Sequence, residues 1–136
     1  MAENAVIVKV LYSQQSQVEP DIQTILYQGI PKGDKMDWII QKTVELGITR
    51  IVPVLSERCI SRPDEKSARK KQERWQKIAE SAAKQSGRGM IPQVEPMTHF
   101  MGALRLEGEE TRKIVFYEGG GESLRQVLMP QCNKLA

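Results

Sequence analysis

IQTILYQGIPKGDKMDWIIQKTVELGITRIVPVL, residues 22–55, sets two short apolar runs on either side of one helical repeat. Residues 22–27 read as a strand, and residues 29–34 as its exit loop, punctuated by Pro31 and Gly33. A helix then starts near Asp34, whose carboxylate can cap it, with Asp37 well placed in the first turn of the helix dipole. Met36, Ile39, Ile40, Thr43 and Leu46 keep one face apolar, and Gly47 suits the left-handed residue that ends such a helix. Residues 51–55 form the next strand. Pro53 removes a ladder donor there, which puts the strand at a sheet edge or the proline at a bulge.

The pattern repeats further along the chain. From about Ser67 to Ser86, the residues Trp75, Ile78, Ala79, Ala82 and Ala83 recur at helical spacing. The alanines allow close approach to a sheet, and Trp75 reads as core in preference to a base-stacking platform. Gly87, Gly89 and Pro92 end this helix. The break sets Gln85 and Arg88 at an outward corner between helix and strand. Residues 91–95 give a third strand, 98–105 a short helix, 113–118 ("KIVFYE") a fourth strand and 124–129 an apolar helix. Strands alternating with helices predict an α/β fold, a Rossmann-like parallel sheet with helices on both faces. The "GGG" of residues 119–121 lacks a full phosphate-binding fingerprint and reads as a turn.

Composition bounds the function classes. The 136 residues suffice for one domain, and 40% hydrophobic with 27% charged residues is the balance of a soluble globular protein. No apolar run approaches a membrane span, and residues 1–10 do not form a secretion signal, so a cytoplasmic location is expected. Cys59, Cys132 and the single His99 make neither a disulfide framework nor a metal site. The net charge of +3 is unevenly spread: residues 66–88 hold eight basic residues against Glu73 and Glu80, leaving the remainder at −3. Such a run is either a solvated helix face or a phosphate-contacting surface, and no single member of Arg69, Lys70, Lys71 and Arg74 stands out as the contact.

Several motifs then occur in order: Lys-Gly-Asp-Lys-Met from Lys32, Gln-Lys-x-x-Glu-Leu-Gly from Gln41, Ser-Glu-Arg-Cys from Ser56, Arg-Trp-Gln-Lys-Ile-Ala from Arg74, and Gln-Ser-Gly-Arg from Gln85. Together they closely resemble the bacterial 16S ribosomal RNA uridine-N3 methyltransferases of the SPOUT superfamily. The resemblance is strong from about Val6 to Pro96 and carried only by the strand and helix pattern beyond. It implies an N-terminal PUA-like β-barrel for RNA binding, followed by a methyltransferase domain threaded into a trefoil knot, an exception to the usual absence of knots. It also implies S-adenosylmethionine as cofactor and a homodimer.

The family's Gly-Pro-Glu-Gly-Gly and Leu-Gly-x-Arg-x-Leu-Arg cofactor segments do not occur here. The expectation is therefore a fragment: residues 1–20 a remnant of the barrel and linker, residues 21–136 the N-terminal part of the SPOUT domain with the knot itself absent, and no cofactor binding or turnover by this chain alone. Among its residues, Arg58 follows a strand, where α/β ligand sites gather, and resembles a family arginine; it is read as an RNA or active-site contact in preference to a salt bridge with Glu57. Gln85 and Arg88 come next. Lys42 and Glu45 are also candidates, although a structural pair with each other or with Arg50 is favoured. The alternatives are a non-catalytic RNA-binding module using the basic helix 66–88, or a structural dimerisation domain.

Overall fold

In the computed structural model, which describes residues 7–13, 18–56, 63–116 and 118–128, the chain divides into two units, Met1–Leu106 and Glu107–Ala136. The first unit runs β1 (Ile25–Gly29), α1 (Lys35–Glu45), β2 (Arg50–Leu55), α2 (Glu65–Gln85), β3 (Gln93–Val94), β4 (Thr98–His99) and α3 (Phe100–Ala103). All pairings are parallel: β1 lies on one side of β2, and β3 and β4 follow one another along its other side. Crossovers that advance in one direction across a parallel sheet with the usual right hand leave their helices on one face. Accordingly Met36, Ile40 and Val44 of α1, Trp75, Ala79, Ala82 and Ala83 of α2, Ile51 and Val94 form a single core. Val52 and Val54, alternating with Ile51, are buried on the opposite face.

Several boundaries differ from the expectation for physical reasons. Ile25 pairs with Arg50, which would set Ile22 opposite Gly47 where α1 has only just ended; β1 therefore starts at Ile25 and Ile22 is exposed. Asp34 occupies the N-cap position of α1, but its carboxylate makes no capping hydrogen bond; only its carbonyl accepts, from Asp37 N. The buried stripe of α1 is Met36, Ile40 and Val44, while Leu46, beyond the last helical residue, is 84% exposed. Gly47 does take the left-handed conformation, with φ +99°. Its N–H donates to Val44 O and that of Ile48 to Thr43 O, the two bonds of a Schellman ending.

Pro53 sits in the central strand, not at an edge. Glu95 N donates to Ile51 O and Ile30 N to Val54 O, so the nitrogen of Pro53 faces the β3/β4 side. Its missing N–H falls where the partner changes from β3, opposite Ile51, to β4, opposite Val54.

Asp64 caps α2, accepting from Ser67 N at 2.8 Å. The edge strand β3 is fastened by that helix: Gln76 Oε1 accepts from Val94 N at 2.8 Å and Gln72 Nε2 donates to Val94 O at 3.0 Å. Side-chain amides here occupy backbone groups that an unguarded edge would offer to another strand.

Residues 7–13, within the expected remnant of the barrel and linker, form no regular element, and Ile7, Val8, Val10 and Leu11 are exposed. The predicted helix over 98–105 is strand β4 followed by the four-residue α3. In the second unit, residues 113–116 do not form the predicted fourth strand, and Val115 and Phe116 are exposed; alternation alone makes no strand where no ladder partner is at hand. α4 (Leu124–Leu128) is present, opened by a reciprocal cap in which Ser123 Oγ accepts from Gln126 N and Gln126 Oε1 accepts from Ser123 N.

Candidate functional site

The carboxyl end of β1 leads into Ile30, Pro31, Lys32 and Gly33, and this turn faces the amino-terminal half of α2. Between them lies a groove of about 340 Å³, lined also by Asp34, Met36, Asp37, Lys71, Arg74 and Trp75. Its floor is stiffened by one carboxylate: Asp37 Oδ1 accepts from Trp75 Nε1 at 3.1 Å, and Asp37 Oδ2 accepts from Arg74 Nη2. Arg74 is also within 3.8 Å of Asp34. The first-turn acid of α1 therefore ties the two helices together, a role that helix-dipole reasoning does not reveal. Lys32 and Lys71 share the groove with no hydrogen bond or ion pair to any described residue.

A second, shallow and open groove of about 430 Å³ runs along one face of α2 alone, lined by Lys70, Glu73, Arg74, Lys77, Ile78 and Ser81. Arg74 lines both grooves and stands on the ridge between them. Thus three of the four phosphate-contact candidates, Lys70, Lys71 and Arg74, line the grooves. Arg69 does not; it is 81% exposed and pairs with Glu73 at 3.4 Å. Lys32 and Lys77 complete the lining. Their signal in the sequence was faint: Lys32 is one basic residue in a turn, and Lys77 one of many in the run.

Arg88 corrects the expectation of an outward corner. Its side chain is 3% exposed. Its Nη1 donates to Val44 O at 3.2 Å and Ile48 O at 2.5 Å, the carbonyls around the end of α1, and its Nη2 donates to Glu19 Oε2 at 2.6 Å. Glu19 Oε1 accepts from Gly89 N and Met90 N, at 2.9 and 3.0 Å. The Arg88 hydrogen bond holds the Glu19 carboxyl below its ordinary pKa. Arg88 Nε is buried without a hydrogen-bond partner among the described residues. The left-handed Gly87, φ +70°, turns the chain so that Arg88 points inward.

The other candidates are separate from this cluster. Gln85 is exposed at the last position of α2. Lys42 donates to Glu45 at 2.8 Å, and that bond, with a second from Gln41, lowers the Glu45 pKa. Arg50 lies 3.9 Å from Glu95 rather than beside Glu45. Arg58, Glu57 and both cysteines lie outside the described residues. Among the described residues no group of three or more His, Cys, Asp or Glu could hold a metal ion, and no helix is long and apolar enough to cross a membrane.

The chain is 41% identical over 100 residues to ribosomal RNA small subunit methyltransferase E of Bacillus subtilis, covering 74% of this chain and 39% of that protein. Its fold matches the crystal structure of ribosomal RNA small subunit methyltransferase E from Neisseria gonorrhoeae bound to S-adenosyl methionine (TM-score 0.67, 44% identity, 71% of this chain and 40% of that one). It also matches a Legionella pneumophila methyltransferase in complex with the same cofactor (TM-score 0.74, 30% identity, 80% and 45%). The chain thus spans about two fifths of the length of these relatives. The parallel sheet with its helices is the architecture it shares with them, and a sequence profile described as RNA methyltransferase domain matches residues 18–135, starting one residue before Glu19. The chain belongs to the RNA methyltransferase domain family.

Proposed function

We propose that the natural protein methylates N3 of a uridine in 16S ribosomal RNA, with S-adenosylmethionine as methyl donor, as a cytoplasmic homodimer. The observation that carries this reading is the match over residues 18–135, joined to identities of 41% and 44% with two proteins named ribosomal RNA small subunit methyltransferase E. Uracil N3 carries a proton and faces the Watson–Crick edge, so the base must be unpaired or turned out before it is modified. A fixed cation near the uracil carbonyl oxygens favours the charge left when that proton departs. Arg58 and the exposed Gln85 are the candidates for such a contact, while Lys70 and Lys71 contact phosphates beside Arg74, which Asp37 and Asp34 hold in place. Arg69, Lys42 and Glu45 serve the surface and the helix.

The described residues do not fit the methyl donor itself. S-adenosylmethionine carries a positive sulfonium, and both grooves are net positive, with Lys32, Lys71 and Arg74 against Asp34 and Asp37 in one and Lys70, Arg74 and Lys77 against Glu73 in the other. The 119–121 loop is exposed, and a side chain built at Gly120 or Gly121 would meet nothing within 4 Å among the described residues. We therefore assign the cofactor to the part of the relatives that this chain does not span, and read residues 18–135 as RNA-facing scaffold of the methyltransferase domain. The exposed basic side of α2 also suits a non-catalytic RNA-binding module.

The two readings separate in one assay. The natural gene product, incubated with small ribosomal subunits and methyl-labelled S-adenosylmethionine, is expected to place label on N3 of a uridine. Binding of the subunits without any transfer would leave the RNA-binding module as the function.

A further inference from the structure

We propose that the two grooves form one bent track for single-stranded RNA, entered at Lys32 and left at Lys77, with Arg74 as the ridge over which the backbone turns. This rests on the reading of the protein as one that acts on RNA and adds where and in what form the strand lies. Lys70 and Lys71 are neighbours in sequence and so point about 100° apart around α2, with Arg74 between them in projection. Lys71 therefore serves the groove beside the β1–α1 turn, and Lys70 and Lys77 the outer one.

The charges in the track are not equivalent. Arg74 is held by Asp37 and Asp34, and Glu73 by Arg69, so these groups shape the walls. Lys32, Lys70, Lys71 and Lys77 have no ion pair among the described residues and are available to phosphates. They lie on two sides of a convex helix. A stiff duplex touches one side of such a rod, whereas a single strand bends across it, laying sugars on the apolar parts of Ile30, Pro31 and Ile78. The inner groove ends at the carboxyl edge of β1, the side of a parallel sheet where ligands are bound. A strand held in this way arrives unpaired, as a reaction at a Watson–Crick edge requires.

The test is equilibrium binding of the present 136-residue chain, without cofactor, to a fluorescein-labelled oligouridylate of about 12 nucleotides and to an RNA duplex of the same length, over a salt series. The single strand is expected to bind more tightly. Lys32→Gln and Lys77→Gln should each weaken it about threefold or more and lower the salt slope by about 0.7, the effect of one lost phosphate contact on a single strand. Lys84→Gln is the control: it removes the same charge from the same helix, in line with Lys77 but outside both grooves, and should change little. Equal losses from Lys84→Gln and Lys77→Gln, no loss from Lys32→Gln, or duplex binding as tight as single-strand binding would each overturn the track. The substituted lysines are exposed or rim residues, and unchanged urea midpoints confirm that folding is intact. The enzyme reading fails separately, by absence of methyl transfer from the natural protein whatever the oligonucleotide does.

Discussion

At Arg88 one guanidinium serves Glu19, Val44 and Ile48, joining the chain before β1 to the end of α1 and the exit of α2. Removing a buried ion-pair partner strands the other charge and frees two carbonyls, so Arg88→Ala should cost about 3 kcal/mol of stability in urea denaturation. Arg88→Lys keeps a charge but cannot reach all three acceptors and should recover only part of that loss. Full stability in Arg88→Ala would return the residue to the surface. The pairing also sets a pH dependence. Glu19 is held below its ordinary pKa by Arg88, so its contribution is complete above the ordinary carboxylate range, about 4.3, and is lost as pH falls through the lowered folded value. Glu19→Gln should be less stable than the parent at pH 7, with the difference shrinking below pH ~4. A constant difference across that range would show that the carboxylate charge is not what matters. The sequence displayed Arg88 as a lone cation after a helix, and nothing local distinguished outward from inward; the carbonyls and carboxylate that decide it come from residues 40, 44 and 69 positions away.

At the scale of elements, the turn after α1 was legible and its neighbour was not. Gly47 announces a left-handed ending, because a residue without Cβ is needed there. A Cβ at Gly47 would also come within 2.6 Å of Pro20 Cγ, which only the fold reveals. Gly47→Ala is therefore expected to lose about 2 kcal/mol or more, against about 1 kcal/mol for Gly33→Ala, which shares a positive φ but has open space around it. Equal losses measured by chemical denaturation would mean that Pro20 yields freely. Helices α1 and α2 were readable because their apolar repeats persist for three turns or more. Strand β3 lies inside the strand expected over 91–95, whereas β4 was read as part of a helix, since a two-residue strand carries no periodicity. What holds β3 is the amide pair Gln72 and Gln76, polar residues on an otherwise basic helix. Gln76→Ala should speed amide exchange at Val94 by ten-fold or more, through loss of its acceptor. Unchanged protection there would assign β3 to its pairing with β2 alone.

For the whole molecule, motif order spoke more clearly than architecture. Five short motifs indicated the family, while the fold alone would fit many chemistries. The candidate site was only half visible: the basic run was evident, yet its division between two grooves follows from where α1 and the turn before it meet α2. The cationic lining predicts that titration of this chain with S-adenosylmethionine gives no saturable micromolar binding, and saturation in that range would contradict the assignment of the cofactor to other parts of the relatives. The central claim, N3 methylation of a small-subunit uridine, is tested most directly by nucleoside mass spectrometry of 16S ribosomal RNA from cells with and without the gene. The account predicts that N3-methyluridine is present in the parent and lost at one position in the deletion, and returns when the natural gene is restored. An unchanged N3-methyluridine content in the deletion strain would contradict it.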